Sequence, residues 1–385
     1  MAVEPESKLP GIGTTIFSVM TRKADERGAI NLSQGFPDFP VPERLAALLE
    51  EAVREGHNQY APMPGAPRLR RAVAEKIGSL YGTACDPETQ VTVTSGATEA
   101  LFDAVQAVVR PGDEVILFDP AYDAYEPAVT LAGGRAVRLP LTEPGFGIDW
   151  QRLEDALGER TRLVILNTPH NPAGAVLDRA ALDRLAEALR PRSTLVLSDE
   201  VYEHIVLDGA HASVLQQPEL AERAFVVSSF GKTFHCTGWK IGYCVAPPAL
   251  TAELRKVHQF VTFATMHPAQ VAFARFLEEH PEHYRELPAF YRRKRDRLAG
   301  HLEAAGFRLR PAAGTYFQLA DYGELADEPD TLFAERLIDR AGVAAIPVSV
   351  FYRDPPPAQR LVRFCFAKRD ATLDESGRRL QSLSA

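Results

Sequence analysis

Two lysines, Lys232 and Lys240, stand eight residues apart in the stretch SSFGKTFHCTGWKIGY. Phe, Trp and Gly surround them, and a surface segment rarely places isolated cations in such company, so each lysine needs a partner or a task. Other stretches also offer polar groups that could do chemistry. Ser95-Gly96-Ala97-Thr98 opens a helical pattern, so its free backbone N–H groups and the positive end of the helix dipole suit a phosphate. Gly96 fits a plain turn equally well. Asp199 in SDEVYEHI is either a helix N-cap or, if buried beside a cationic ring nitrogen, the group that keeps that nitrogen protonated. Tyr202, one turn on, fits a core position as well as a site, and Asn167 and Asn171 in NTPHNPAG flank prolines as turn residues do.

The elements around these residues decide between such readings. QVTVTSG, EVILFDP, RLVILNTP, TLVLSDE and AFVVSSF are β-branched, nearly continuous in hydrophobicity and bounded by turn residues, the pattern of strands buried on both faces. Amphipathic helices lie between them, such as DRAALDRLAEALR, with Asp178 as N-cap and Leu182, Leu185 and Leu189 on one face. The alternation predicts an α/β fold with a mostly parallel sheet flanked by helices. In such sheets ligands gather beyond the carboxyl ends of the strands, and four of the predicted strands end in the polar groups above. From about Glu282 the rhythm changes to a long helix over Tyr284–Ala305, strands near Phe307–Leu309, Thr315–Leu319 and Leu361–Phe366, a helix over Thr331–Ala341 and a final helix. This predicts a smaller α+β domain over 283–385 and a large domain over 46–282, with segment 1–45 joining the small one.

Composition excludes several classes. A formal net charge of −8 argues against nucleic-acid binding, and there is no apolar run long enough to span a bilayer. The N-terminus lacks the pattern of a secretory signal, so the cytoplasm is the expected compartment. The cysteines, Cys85, Cys236, Cys244 and Cys365, make neither a CxxC pair nor a disulfide framework, and the scattered histidines predict no metal site. FGKT lacks the glycine a P-loop needs five residues before Gly231, where Val226 stands.

A phosphate site, a buried acid, a tyrosine hydroxyl and a lysine on one sheet rim together suit pyridoxal 5'-phosphate, whose aldehyde condenses with lysine and whose ring nitrogen needs an acid partner. NLSQGFPDFP, NQYAPMPGAPRLR, DPAYDAYEP, NTPHNPAGAV, SDEVYEHI, SSFGKTFHCTGWKIGYCVAP, GTYF and VRFCFAK occur in this order along nearly the whole chain. This ordered set resembles the class I pyridoxal-phosphate-dependent aminotransferases of fold type I, within them the methionine and kynurenine (aromatic) aminotransferases. The resemblance implies that Lys232 bonds the cofactor aldehyde and then moves the proton, and that Asp199 pairs with the ring nitrogen. It implies that Tyr202 and Asn171 address the ring oxygen and that Tyr122 stacks on the ring. Ala97, Thr98, Ser229 and Lys240 then hold the phosphate, with Tyr60 arriving from the other subunit of a homodimer, while Arg363, Gly35 and Asn171 hold the substrate carboxylate. Most of the class carries arginine where GWKIG has Lys240, which substitutes a point charge for a two-pronged donor.

The implied reaction moves an amino group from an apolar or aromatic amino acid to a 2-oxo acid, with Tyr122, Phe263, Tyr316 and Phe351 as the expected side-chain pocket. A carbon–sulfur β-lyase could use the same lysine, acid and arginine but would release pyruvate and ammonia from cysteine conjugates. A non-enzymatic regulator on this fold would need a DNA-binding module, and only about thirty residues precede NLSQGFPD.

Overall fold

The uninterrupted apolar runs become strands because helices cover both faces of the sheet they form. Successive side chains of one strand leave on opposite sides: Val115 and Leu117 pack with Leu163, Ile165 and Leu197, whereas Ile116 and Phe118 pack with Val164, Leu166 and Val196. The computed structural model describes residues 6–383. In chain order its strands are β1 (Ile30–Asn31), β2 (Val91–Thr94), β3 (Glu114–Asp119), β4 (Arg135–Pro140), β5 (Thr161–Asn167), β6 (Leu195–Asp199) and β7 (Ala224–Ser229). Then follow β8 (Gly242–Val245), β9 (Arg308–Leu309), β10 (Phe317–Asp321), β11 (Val343–Ala344), β12 (Ile346–Pro347) and β13 (Leu361–Cys365).

The main sheet has seven strands in the order β2-β8-β7-β6-β5-β3-β4, mostly parallel as the sequence pattern predicts. Two of its strands were not anticipated. β8 runs antiparallel to both neighbours, and β4 is an edge strand with mixed burial and no continuous apolar run. The expected helix over DRAALDRLAEALR forms as Arg179–Leu189, and the Asp178 carboxylate accepts from the Ala181 N–H at 2.8 Å.

The C-terminal part holds the helix His283–Ala304 and a four-stranded antiparallel sheet, β12-β13-β10-β9. The helix expected over Thr331–Ala341 is shorter: Asp330–Arg336 is α-helical, and Leu337–Ala341 widens into a π turn ending at Gly342 with φ 61°. β1 pairs in parallel with β11, which ties the N-terminal segment to the C-terminal part of the chain.

Register sets the rim on which polar side chains meet. Asn167 pairs with Asp199, Ser229 with Gly242, and Gly242 also with Thr94, so the ends of β5, β6, β7 and β2 come together around β8. Gly242 makes this approach possible. A Cβ there would lie 2.7 Å from the Ala97 nitrogen and 2.8 Å from the Ser228 oxygen, both backbone atoms. We expect Gly242→Ala to destabilise the fold by roughly 1–3 kcal/mol in urea unfolding. Gly238→Ala, with nothing within 4 Å of its added methyl, should stay within about 0.5 kcal/mol of the parent. Equal stability of the two variants would contradict the close-approach account.

Candidate active site

A cavity of about 270 Å³ opens where β5, β6 and β7 end, with their last residues Asn167, Asp199 and Ser229 in its wall. Gly35, Ala97, Thr98, Tyr122, Asn171, Tyr202, Lys232, Lys240 and Arg363 also line it. Of the residues expected to serve the reaction, the cofactor and the substrate carboxylate, all but Tyr60 therefore meet in one place.

Asp199 is buried at the end of β6. No helix follows it, so the helix-cap reading does not apply: residues 201–204 form turns, and Tyr202 reaches the cavity from a turn. Its carboxylate accepts from the Tyr125 hydroxyl at 2.7 Å and from the Val201 N–H at 3.2 Å. Burial outweighs these bonds and raises its pKa to about 6. Sequence reasoning missed Tyr125, although it stands in DPAYDAYEP three residues after Tyr122, at the start of the helix Tyr125–Leu131. Asn167 fixes the neighbouring loop by accepting from the Asn171 N–H at 2.7 Å and donating to the Asp199 carbonyl at 3.0 Å.

Lys232 follows β7 in the single helical turn Phe230–Thr233. Its amine lies 3.4 Å from the Gly35 carbonyl and 5.8 Å from the centre of the Tyr202 ring. Burial lowers its pKa to about 8, against opposing influences from Cys365 and Asp199. Lys240 holds the left-handed conformation, φ 54°, a strained geometry for a side-chain-bearing residue. Its amine borders Gly96, where an added Cβ would lie 3.3 Å from Nζ. The helix Gly96–Val108 thus presents its first amides to the cavity beside a cation, and the Ser95 side chain does not cap them.

Arg363 is 1% exposed in the middle of β13, not the exposed strand charge that simple alternation would make it. It donates to Asn171 Oδ1 at 2.6 Å and to the Ser33 carbonyl at 3.0 Å, and its guanidinium lies 3.8 Å from the centre of the Phe317 ring. Its Nε is buried without a partner, and burial lowers the pKa to about 10. A buried guanidinium with an unused donor is a receptor for an incoming anion.

The expected side-chain pocket needs correction. Only Tyr122 of its four aromatics lines the cavity. Tyr316 is fully buried and donates to the Gly35 carbonyl, and Phe351 packs 5.3 Å from the Arg363 guanidinium. Phe263 is exposed beside Tyr60, with ring centres 5.6 Å apart. The apolar walls are Phe17, Phe36, Leu101 and Phe317 instead. Phe17 and Phe36 come from the N-terminal segment, and no local sequence signal shows that they fold back over the sheet.

The residues 27–380 match the family model described as Aminotransferase class I and II. The chain is 52% identical over 380 residues to methionine aminotransferase of Escherichia coli, covering 98% of each chain. It is 42% identical to a probable N-succinyldiaminopimelate aminotransferase of Mycobacterium tuberculosis, again over 98% of each. It is 37% identical to kynurenine–oxoglutarate transaminase 1 of Mus musculus, over 97% of this chain and 96% of that one. A crystal structure of an Escherichia coli methionine aminotransferase matches with a TM-score of 0.97 at 52% identity, covering 99% of this chain and all of that one.

Desolvation of Asp199 has a measurable cost. The folded carboxyl keeps its proton to about pH 6, whereas an ordinary one releases it near 3.8, so the folded state binds more protons between these values. Stability therefore falls as pH rises through that window and stays lowered above it. Asp199→Asn in the cofactor-free protein should gain stability on the order of 2–3 kcal/mol at pH 7.5 and nothing near pH 3.5. Thermal unfolding at the two pH values checks this, and a variant less stable than the parent at pH 7.5 would overturn it.

Proposed function

The chain belongs to the class I and II aminotransferases, which depend on pyridoxal 5'-phosphate, and on that premise we propose that its amino donor is apolar or aromatic, with methionine, phenylalanine, tyrosine and kynurenine foremost. A 2-oxo acid collects the amino group. The observation that carries the donor class is the charge inventory of the cavity. Among this subunit's described residues its lining cations are Lys232, Lys240 and Arg363, and each has a use in this reading, which leaves none of them for a second carboxylate on the substrate. Aromatic and aliphatic walls fill the remaining space.

When bound, pyridoxal phosphate supplies an aldehyde that condenses with amines and a ring that withdraws electrons from the substrate α-carbon. The groups that line the cavity fit its parts. Asp199, firm between Tyr125 and the Val201 N–H, would pair with the ring nitrogen and favour its proton. Tyr202 and Asn171 would serve the ring oxygen, and Tyr122 would offer the ring an aromatic face. The amides of Ala97 and Thr98, with Ser229, Lys240 and the partner subunit's Tyr60, would hold the phosphate. Arg363, braced by Asn171, takes the substrate carboxylate at the unused edge of its guanidinium, with Gly35 beside it. Lys232, its amine made less basic by burial, would hold the cofactor through its aldehyde and would serve as the base for the proton at the substrate α-carbon.

Tyr60 is 83% exposed and lies in an apolar patch with Phe260, Val261, Phe263 and Met266, which supports a homodimer that shares its active sites. Among the described residues no helix is long and apolar enough to cross a membrane. The cytoplasm as compartment, and a division of the chain near residues 45 and 282, complete the reading.

A half-reaction panel of amino acids, followed by the loss of the cofactor's visible band, tests the donor class. Methionine and aromatic donors should react fastest, aspartate and glutamate slowest. Release of pyruvate and ammonia from cysteine conjugates without any 2-oxo acid would instead mark a β-lyase. Lys232→Ala should abolish transfer and leave no lysine for borohydride to link to the cofactor, and a labelled lysine elsewhere would overturn the assignment. Lys240→Ala should weaken cofactor binding about ten- to a hundred-fold, as loss of a charge-assisted hydrogen bond predicts, and recover much of its turnover at saturating cofactor. Unchanged cofactor affinity would remove Lys240 from the phosphate site.

A further inference from the structure

Outside the cavity lining, on the helix whose first residues border it, lies a cluster that the proposed reaction does not use. Glu99 and Asp103 project from the helix Gly96–Val108, and His258 projects toward them from the helix Pro248–Val261. His258 and Asp103 are fully buried, Glu99 nearly so. The ligand-capable atoms of the three lie within 4.8 Å of one another, which has the look of a cation site. The ring of His258 is already committed, however. Its Nε2 lies 2.9 Å from the Met63 carbonyl, which can only accept, and its Nδ1 lies 2.8 Å from Glu99 Oε1. With both nitrogens in hydrogen bonds, no lone pair is left for a metal.

The bonds of this cluster run in one chain. Glu99 Oε2 accepts from the Ser95 N–H and so fixes the entry to the helix whose first amides face the cavity. Glu99 Oε1 meets His258, and His258 grips Met63, in the same short segment as Tyr60. The carbonyl of His258 also accepts from the Thr262 and Phe263 N–H groups, and Phe263 stands edge-on to Tyr60.

We propose that His258 is a positioning residue which, through Glu99, fastens the phosphate-facing end of the helix Gly96–Val108 to the segment that carries Tyr60. In a homodimer that segment serves the neighbouring cofactor, so one buried imidazole sets phosphate donors for both sites of the pair. The inference rests on the assignment of the Ala97 and Thr98 amides to the cofactor phosphate. Electrostatics agrees with the geometry. Burial works against charge on both His258 and Glu99, yet their mutual hydrogen bond raises the first and lowers the second, as in an imidazolium–carboxylate pair. Asp103, with neither oxygen hydrogen-bonded, is pushed up to about 7 by burial and then by the charge of Glu99, so it keeps its proton in mildly acid solution.

The test compares binding of pyridoxal phosphate with that of pyridoxal, which lacks the phosphate, by fluorescence titration of the cofactor-free dimer. The ratio of the two affinities isolates the phosphate contribution, which a general loss of packing would not move. His258→Leu should lower that ratio about five-fold or more. Glu99→Gln can still accept from Ser95 and donate to a neutral His258, so it should stay within about three-fold of the parent. If His258→Leu does not fold, His258→Gln, which offers one donor nitrogen in place of two, takes its place with the same expectation of a lowered ratio. An unchanged ratio in the histidine variant overturns the proposal while leaving the phosphate site intact, as does a Glu99→Gln variant that loses as much. A parent that binds both compounds equally overturns the phosphate assignment itself, and this proposal with it.

Discussion

Everything at this site follows from one expense, a carboxyl group removed from water at the end of a central strand. Asp199 is buried, and its two hydrogen bonds, from a tyrosine hydroxyl and a backbone amide, do not offset the lost hydration. A fold selected for stability alone would place an apolar residue there. The group makes sense as half of a pair whose other half is a cationic ring nitrogen, and the family to which the chain belongs binds a cofactor with such a nitrogen.

The surrounding architecture serves to hold that carboxyl, an amine and a guanidinium at fixed separations without letting them neutralise one another. Parallel register sets Asn167 beside Asp199 and Asp199 beside Val227, two residues before the end of β7, after which the chain turns to deliver Lys232. Arg363 arrives from the other sheet, its face against Phe317 and its amino groups spent on Asn171 and Ser33, so it never reaches Asp199. The antiparallel β8 completes the arrangement, because Gly242 lets a helix end approach backbone to backbone. Each charged group is thus desolvated and incompletely satisfied, the condition in which an incoming ligand gains most.

Much of this is legible in the sequence, and the reason is local. Strands buried on both faces announce themselves as β-branched runs, and the polar residues that end them mark the rim. The ordered motifs point to Lys232, Asp199 and Arg363 without any contact being known, and the three line one cavity. What stays hidden depends on contacts between distant segments. Tyr125 looks like one more aromatic of DPAYDAYEP until its hydroxyl is seen on Asp199. Phe17 and Phe36 enter the cavity wall because β1 pairs with β11, a contact over some three hundred residues that no local pattern encodes. Phe263 and Phe351 were plausible pocket residues by type alone, and only the fold sends one to the surface and the other behind Arg363.

The central claim is that a desolvated Asp199 keeps the cofactor's ring nitrogen protonated. Nitrogen-15 NMR of the enzyme loaded with ring-labelled pyridoxal phosphate measures that proton directly. The account predicts the chemical shift of a protonated nitrogen throughout the range from about pH 6 to pH 9, and of an unprotonated one in Asp199→Asn. An unprotonated ring nitrogen in the parent at neutral pH would contradict it.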